Sequence, residues 1–193
     1  MTVTDWIEQY KKQSDSRFPT FKKAFELLNE RGGKNIVETG CIRMVNDWGA
    51  GMSTFLFGEY AKLFGGHVWT VDISEPNMDV CRLVTKDFSE FIDYTVSDSI
   101  LFLYAFPQPI DFLYLDSVDC PIECEANDPE LLHAQNHQLN EIITIMPKLN
   151  ENTVVLLDDN GFKHGGKTKM TKSYLRMLKW KEIMEGQQSL WSR

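Results

Sequence analysis

The run "IDFLYLD", residues 110–116, is apolar on both of its alternating faces apart from one acid near its start, and it ends on another, Asp116. A short apolar run without strict alternation reads as a strand buried on both sides, the kind found in parallel sheets. Read outward from it, the pattern repeats. Downstream, Asn127, Asp128 and Pro129 open a long helix to about residue 145, "NTVVLLD" (152–158) is a second strand, and 168–180 is a helix. The tail "KEIMEGQQSLWSR" reads as two short strands around Glu185 and Gly186.

Upstream the alternation continues. "NIVET" (35–39), "HVWTVDI" (67–73) and "FIDYTVS" are strands, separated by helices over 52–64 and 75–88 and followed by the short helix "DSILFLYAF". Two N-terminal helices, about 4–14 and 19–31, precede them, the second stopped by Gly32 and Gly33. The expected fold is therefore α/β: a Rossmann-like, doubly wound, mostly parallel seven-stranded sheet with helices on both faces and a C-terminal antiparallel hairpin. One domain spans 1–193, with N-terminal helices over 1–33 and an α/β core over 34–193.

Apolar residues make up 42% of the chain and charged residues 25%, ordinary values for a globular protein. The formal net charge of −8 argues against a surface that coats nucleic acid or anionic membrane. No apolar run nears the ~20 residues of a membrane span, and the polar N-terminus lacks a signal-peptide core. The four scattered cysteines read as reduced thiols, so a cytoplasmic location is expected. The partner expected is a small molecule, without nucleic acid or membrane, and a homodimer is compatible with these features.

In a parallel sheet ligands gather beyond the carboxyl ends of the strands. Those ends are acidic here: Glu38, Asp72, Asp98, Asp116, and Asp158-Asp159-Asn160. A turn acid explains each one singly, but their recurrence along one edge points to a site. Between Glu38 and the next helix, "TGCIRMVNDWGAGMST" carries Gly40, Gly49 and Gly51, which permit close backbone approach, and Ser53-Thr54 at a helix start. Asp72 suits ribose hydroxyls. It lies 34 residues after Glu38, and the glycine loop is irregular, so a nicotinamide cofactor is not expected.

These residues resemble the class I S-adenosylmethionine-dependent methyltransferases over about residues 20 to 193. "IVETG…GAGMST" looks like their first motif, "TVDIS" their ribose-binding acid and "VSDSI" their adenine-side motif. Asp116 with Asp159-Asn160 is similar to the metal set of the metal-dependent small-molecule O-methyltransferases. The resemblance implies a methyl transfer to a small-molecule oxygen, assisted by Mg²⁺ or another divalent cation. It implies that Glu38, Gly40, Gly51 and Ser53 surround the methionine part of S-adenosylmethionine. Asp72 would hold the ribose, Ser97, Asp98 and Ser99 would lie by the adenine, and Asp116 would close the cofactor side. Asp116, Asp159 and Asn160 would ligate the metal, with Asp158 as a competing ligand. Two departures stand out: about seven extra residues in the glycine loop, and Asp119 where the metal-dependent relatives carry a lysine.

The segment "DDNGFKHGGKTK" (158–169) also spells G-x-x-x-x-G-K-[ST], the form of a phosphate-binding loop. Too little chain follows Thr168 for a nucleotide fold, so the segment is expected instead to roof the site, with His164 and Lys163 as candidates for proton removal from the acceptor. Cys120, Cys124, His133 and His137 have zinc-ligand chemistry, with an acceptor-side loop and helix as the other reading. Met44 and Trp48, in the inserted loop, are candidates for touching ligand. A protein that keeps this fold without catalysis, or uses a metal for other chemistry, remains a further reading.

Overall fold

The computed structural model describes residues 1–49 and 52–193. Seven strands form one sheet: β1 (Asn35–Thr39), β2 (His67–Asp72), β3 (Ile92–Val96), β4 (Ile110–Leu115), β5 (Leu149–Leu157), β6 (Lys181–Glu185) and β7 (Ser189–Ser192). Their order is β3-β2-β1-β4-β5-β7-β6. The pairs from β3 through β5 are parallel, and β7 runs antiparallel to both β5 and β6. The expected doubly wound sheet and terminal hairpin are both present.

Period-two alternation sends the strand side chains to two separate cores. Ile36, Phe112, Tyr114, Val154 and Leu156 face a layer rich in aromatic rings. That layer is built by α1 (Val3–Ile7), α3 (Phe18–Glu30) and α4 (Ser53–Phe64), whose Trp6, Phe25, Phe57 and Tyr60 are fully buried. Val37, Leu113, Leu115, Val155 and Leu157 face the other way. They pack with α6 (Ser99–Ala105), α7 (Pro129–Ile145) and α8 (Lys169–Met177), which supply Leu103, Ile142, Ile145 and Leu175. α5 (Glu75–Val84) follows β2, its Ser74 cap accepting from Asn77 N at 3.3 Å.

The elements start where the caps predict. Asp128 caps α7 by accepting from Glu130 N at 2.8 Å, with Pro129 in the first turn. Thr2 and Asp5 form a capping box at α1. The first expected helix, however, is not continuous. A 3₁₀ turn over Glu8–Tyr10 separates α1 from α2 (Lys11–Ser14), and Asp15 adopts φ +43° before a second 3₁₀ turn, Asp15–Arg17. Those turns carry Arg17 over the carboxyl end of the sheet. The helix expected over 75–88 likewise stops at Val84 and gives way to a 3₁₀ stretch, Lys86–Phe91.

Candidate active site

The sheet changes direction of winding at β1, whose neighbours β2 and β4 lead away on opposite sides. At that point Gly40 (φ +81°) passes so close to β4 that a Cβ would lie 2.3 Å from the Asp116 carbonyl oxygen. The chain needs glycine there on two counts, backbone conformation and contact. Beyond this junction opens a cavity of about 630 Å³, within the ordinary range for small-molecule sites. Gly40, Asp72 and Asn77 line one side, and Arg17, Asp116 and Asp159 another. A second hollow of about 250 Å³ shares Gly40, Asp72 and Ser117 with it and reaches Asp98, Ser99 and His137.

Asp72 is held at the end of β2 by the N–H of Ser74 at 2.8 Å and of Cys41 at 3.3 Å, and Asn77 Nδ2 donates to it at 3.3 Å. Cys41 Sγ also approaches Asp72 at 3.6 Å, and Asp72 lines both hollows. Asp98 caps α6 through Leu101 N at 3.0 Å. Ser99 Oγ lies 2.9 Å from His137 Nε2, which also approaches Glu141 at 3.6 Å. The bond to Glu141 raises His137 above its ordinary value, against the opposing effect of burial.

Glu38 does not reach the cavity. Its side chain follows Ile36 onto the aromatic face, where it is fully buried. It accepts from the hydroxyls of Ser53 at 2.5 Å, Thr54 at 2.6 Å and Thr70 at 2.8 Å. Ser53 is thereby committed to Glu38, so both residues fix the start of α4 from below instead of lining the hollow. Ser97 opens onto a different depression with Trp69 and Phe102. Gly51 lies outside the described residues.

On the side of the cavity lined by Arg17, Asp116 and Asp159, five charged groups are packed together. Arg17 Nε donates to both oxygens of Asp158 at 3.0 Å, and its Nη1 reaches Gly49 O at 2.8 Å. Tyr114 OH donates to Asp158 at 2.8 Å. Lys167 is buried, and its ammonium bonds Asp116 Oδ1, Asp159 Oδ2 at 3.1 Å and Val118 O at 3.0 Å. Arg17 Nη2 stands 3.6 Å from Asp159. Two cations thus face three carboxyls, and the acids are driven apart. Burial pushes Asp158 up, but Arg17 and Lys167 outweigh it and hold the group below the usual carboxylate range. Burial raises Asp116 well above that range and raises Asp159 too, with Lys167 only partly opposing.

The expected metal set is corrected by these contacts. Asp116 and Asp159 face one another, but Lys167 stands between them. Asn160 turns away: its Oδ1 accepts from Thr168 Oγ1 at 2.8 Å and Lys172 Nζ at 2.9 Å, and its Nδ2 donates to Gly186 O at 2.8 Å. Asp158, the competing ligand, is taken by Arg17. The three residues do not fit a divalent cation, and among the described residues no group of three or more His, Cys, Asp or Glu is arranged to hold one. That statement covers the zinc reading: Cys120 packs with Leu131 and Ala134, and His137 is engaged by Ser99 and Glu141.

The phosphate-loop reading also fails on contacts, because the lysine of the motif is saturated by carboxylates and a carbonyl. Lys163 and His164 do sit in the segment beyond β5, yet they point at its neighbour instead of the cavity. Exposed Lys163 pairs with Glu123, and His164 Nε2 lies 3.1 Å from Cys124 O. Of the inserted loop, Cys41, Arg43 and Gly49 line the hollow. Trp48 stacks on Tyr10 at 5.5 Å and Met44 is exposed. Arg43 bonds Asp119 at 2.6 Å across the mouth. Asp119 therefore has a partner, and the cation beside this segment comes from Lys167.

The fold is that of the class I S-adenosylmethionine-dependent methyltransferases. A Podospora anserina methyltransferase, PaMTH1, solved with S-adenosylhomocysteine (SAH) bound, superimposes with a TM-score of 0.62 at 12% identity, covering 98% of this chain and 85% of that one. An O-methyltransferase from Bacillus cereus in complex with SAH gives 0.56 at 16% identity over 99% and 90%. A putative rRNA methylase from Clostridium thermocellum gives 0.56 at 10% identity over 89% and 94%. At these identities the likeness defines the architecture. No protein-family model matches the chain, and no curated protein matches it by sequence.

Proposed function

We propose that this protein transfers a methyl group from S-adenosylmethionine to an oxygen of a small molecule. The observation that carries the reading is the paired hollow at the switch point, with Gly40 and Asp72 on one side and Asp116 and Asp159 on the other. Neighbours of this fold, among them PaMTH1 and the Bacillus cereus enzyme, were solved with SAH, the product such a donor leaves. In this reading Asp72 accepts from the ribose hydroxyls, and the adenine enters the hollow by Asp98. Asp116 and Asp159 would then stand on the side of the cavity open to the acceptor. The formal net charge of −8 favours a small acceptor over nucleic acid.

Methyl transfer asks chiefly for alignment of nucleophile, methyl and sulfur. The acceptor hydroxyl also has to lose its proton. Asp116 and Asp159 line the hollow and are more basic than ordinary aspartates, whereas Asp158 stays ionised as the anchor for Arg17. Asp116 would take the proton of the acceptor hydroxyl, and S-adenosylmethionine, when bound, would supply the methyl group to that oxygen and leave as neutral SAH. No metal enters this scheme.

The test is transfer of labelled methyl from S-adenosylmethionine across a panel of hydroxylic acceptors. The wild type is expected to give product, and Asp116→Asn to lower kcat by ~10²–10⁴ while still binding SAH. Product formation at an unchanged rate in Asp116→Asn removes this base from the scheme, and no product from any hydroxylic acceptor contradicts oxygen as the target.

A further inference from the structure

We propose that the Lys167 ammonium is the resident cation of this site: it occupies the seat between Asp116 and Asp159 that a divalent ion would take. It keeps that seat closed to metals. The inference deepens the methyl-transfer reading, since the seat lies on its acceptor side, but the contacts that define it are independent of any donor.

An ammonium has three N–H donors; that of Lys167 bonds Asp116 Oδ1 and Val118 O and pairs with Asp159 Oδ2 at 3.1 Å. The side chain is 2% exposed, so water does not compete for it. The oxygens it gathers come from the ends of two adjacent parallel strands and the segment after one of them. Such a set of hard oxygen donors is the kind that otherwise suits magnesium or manganese. A hexacoordinate ion needs ligand distances of ~2.1 Å and room for water, and the ammonium fills that room.

The lysine is also held in place from behind. Gly166 takes φ +52°, and a Cβ there would lie 1.7 Å from the Asp159 carbonyl oxygen, so the chain turns tightly against the very residue that Lys167 bonds. Gln135 Nε2 clamps Gly166 O at 2.8 Å, and Thr168 Oγ1 ties the next residue to Asn160 at 2.8 Å. Fixed on both flanks, the ammonium is delivered to one position. It also explains the glycine-lysine-threonine motif: the glycine supplies the turn, the lysine the cation and the threonine the anchor.

The experiment is a titration of the donor-free protein with manganese(II), followed by the loss of its free-ion electron paramagnetic resonance signal. Wild type is expected to leave the signal unchanged over the range in which Lys167→Ala takes up one equivalent. Asp159→Asn in the Lys167→Ala background should abolish that uptake. In parallel, magnesium at ~100 times its dissociation constant should raise the melting midpoint of Lys167→Ala by ~5 °C or more and leave wild type unmoved. Uptake by wild type that Asp159→Asn removes overturns the inference, as does a folded Lys167→Ala that takes up none. The wild-type titration decides even if the variant is lost to misfolding. A protein that fails to bind SAH yet shows this manganese pattern loses the methyl-transfer reading and keeps the seat; one that binds SAH and takes up manganese as wild type does the reverse.

Discussion

Glu38 carries a carboxyl into the aromatic core, and the fold answers it with three hydroxyl donors. Burial still wins: Glu38 is raised to about 7, with Ser53, Thr54 and Thr70 opposing. The ordinary value is 4.5, so between the two the folded protein holds a proton that the unfolded chain releases. Stability from this group is complete below the unfolded value and is lost as pH rises through the folded one, by ~3 kcal/mol in all. Glu38→Gln should abolish this fall. Urea denaturation at about pH 5 and about pH 8 checks it: the wild type should lose more stability than the variant across that interval, and equal losses would show that Glu38 is not the titrating group. Asp72, Asp98 and Asp116 were legible because each ends a strand of a recognisable sheet. Arg17 and Lys167 were not, since each finds its carboxylates only through folding: Arg17 meets Asp158 across 141 positions and Lys167 meets Asp116 across 51. A lysine inside a phosphate-loop spelling gives no local sign that its partners are acids.

At the scale of elements, the connection between β5 and α8 does the most for the site. A glycine in this connection differs from one in a plain hairpin turn. Gly166 turns against Asp159 with no space for a side chain, whereas a Cβ at Gly186, in the β6–β7 turn, would meet nothing within 4 Å. Gly166→Ala should cost ~2–4 kcal/mol through strain and displacement of the loop, and Gly186→Ala should stay within ~0.5 kcal/mol of wild type. Denaturation midpoints separate the two, and equal values would mean that the loop tolerates another course. The strands and capped helices could be read from the chain because apolar runs and Asp-Pro starts are local signals. The interruption at 8–10 could not, because the amphipathic run continues there without glycine or proline. The run of 3₁₀ turns that results is what brings Arg17 over the site.

For the molecule as a whole, alternation of strands and helices was enough to expect a doubly wound sheet, and acids at successive strand ends were enough to say which edge holds the site. Strand order and the orientation of individual side chains came only with the structure, because they depend on which crossovers pack together and on one-residue alternation at each strand end. Glu38 illustrates the second point, since it shares the period of Ile36 in β1 and so goes to the core. No helix among the described residues is long and apolar enough to cross a membrane. Methyl transfer as proposed needs the two hollows that share Gly40 and Asp72 to take the donor between them.

Calorimetric titration with SAH tests this most directly, using wild type beside Asp72→Ala and Asp159→Ala. Wild type should show one saturable site, Asp72→Ala an affinity lowered at least ~10-fold, a loss of ~1.4 kcal/mol or more, and Asp159→Ala an affinity near wild type. Absence of SAH binding to folded wild type, or the same loss in both variants, would contradict this reading.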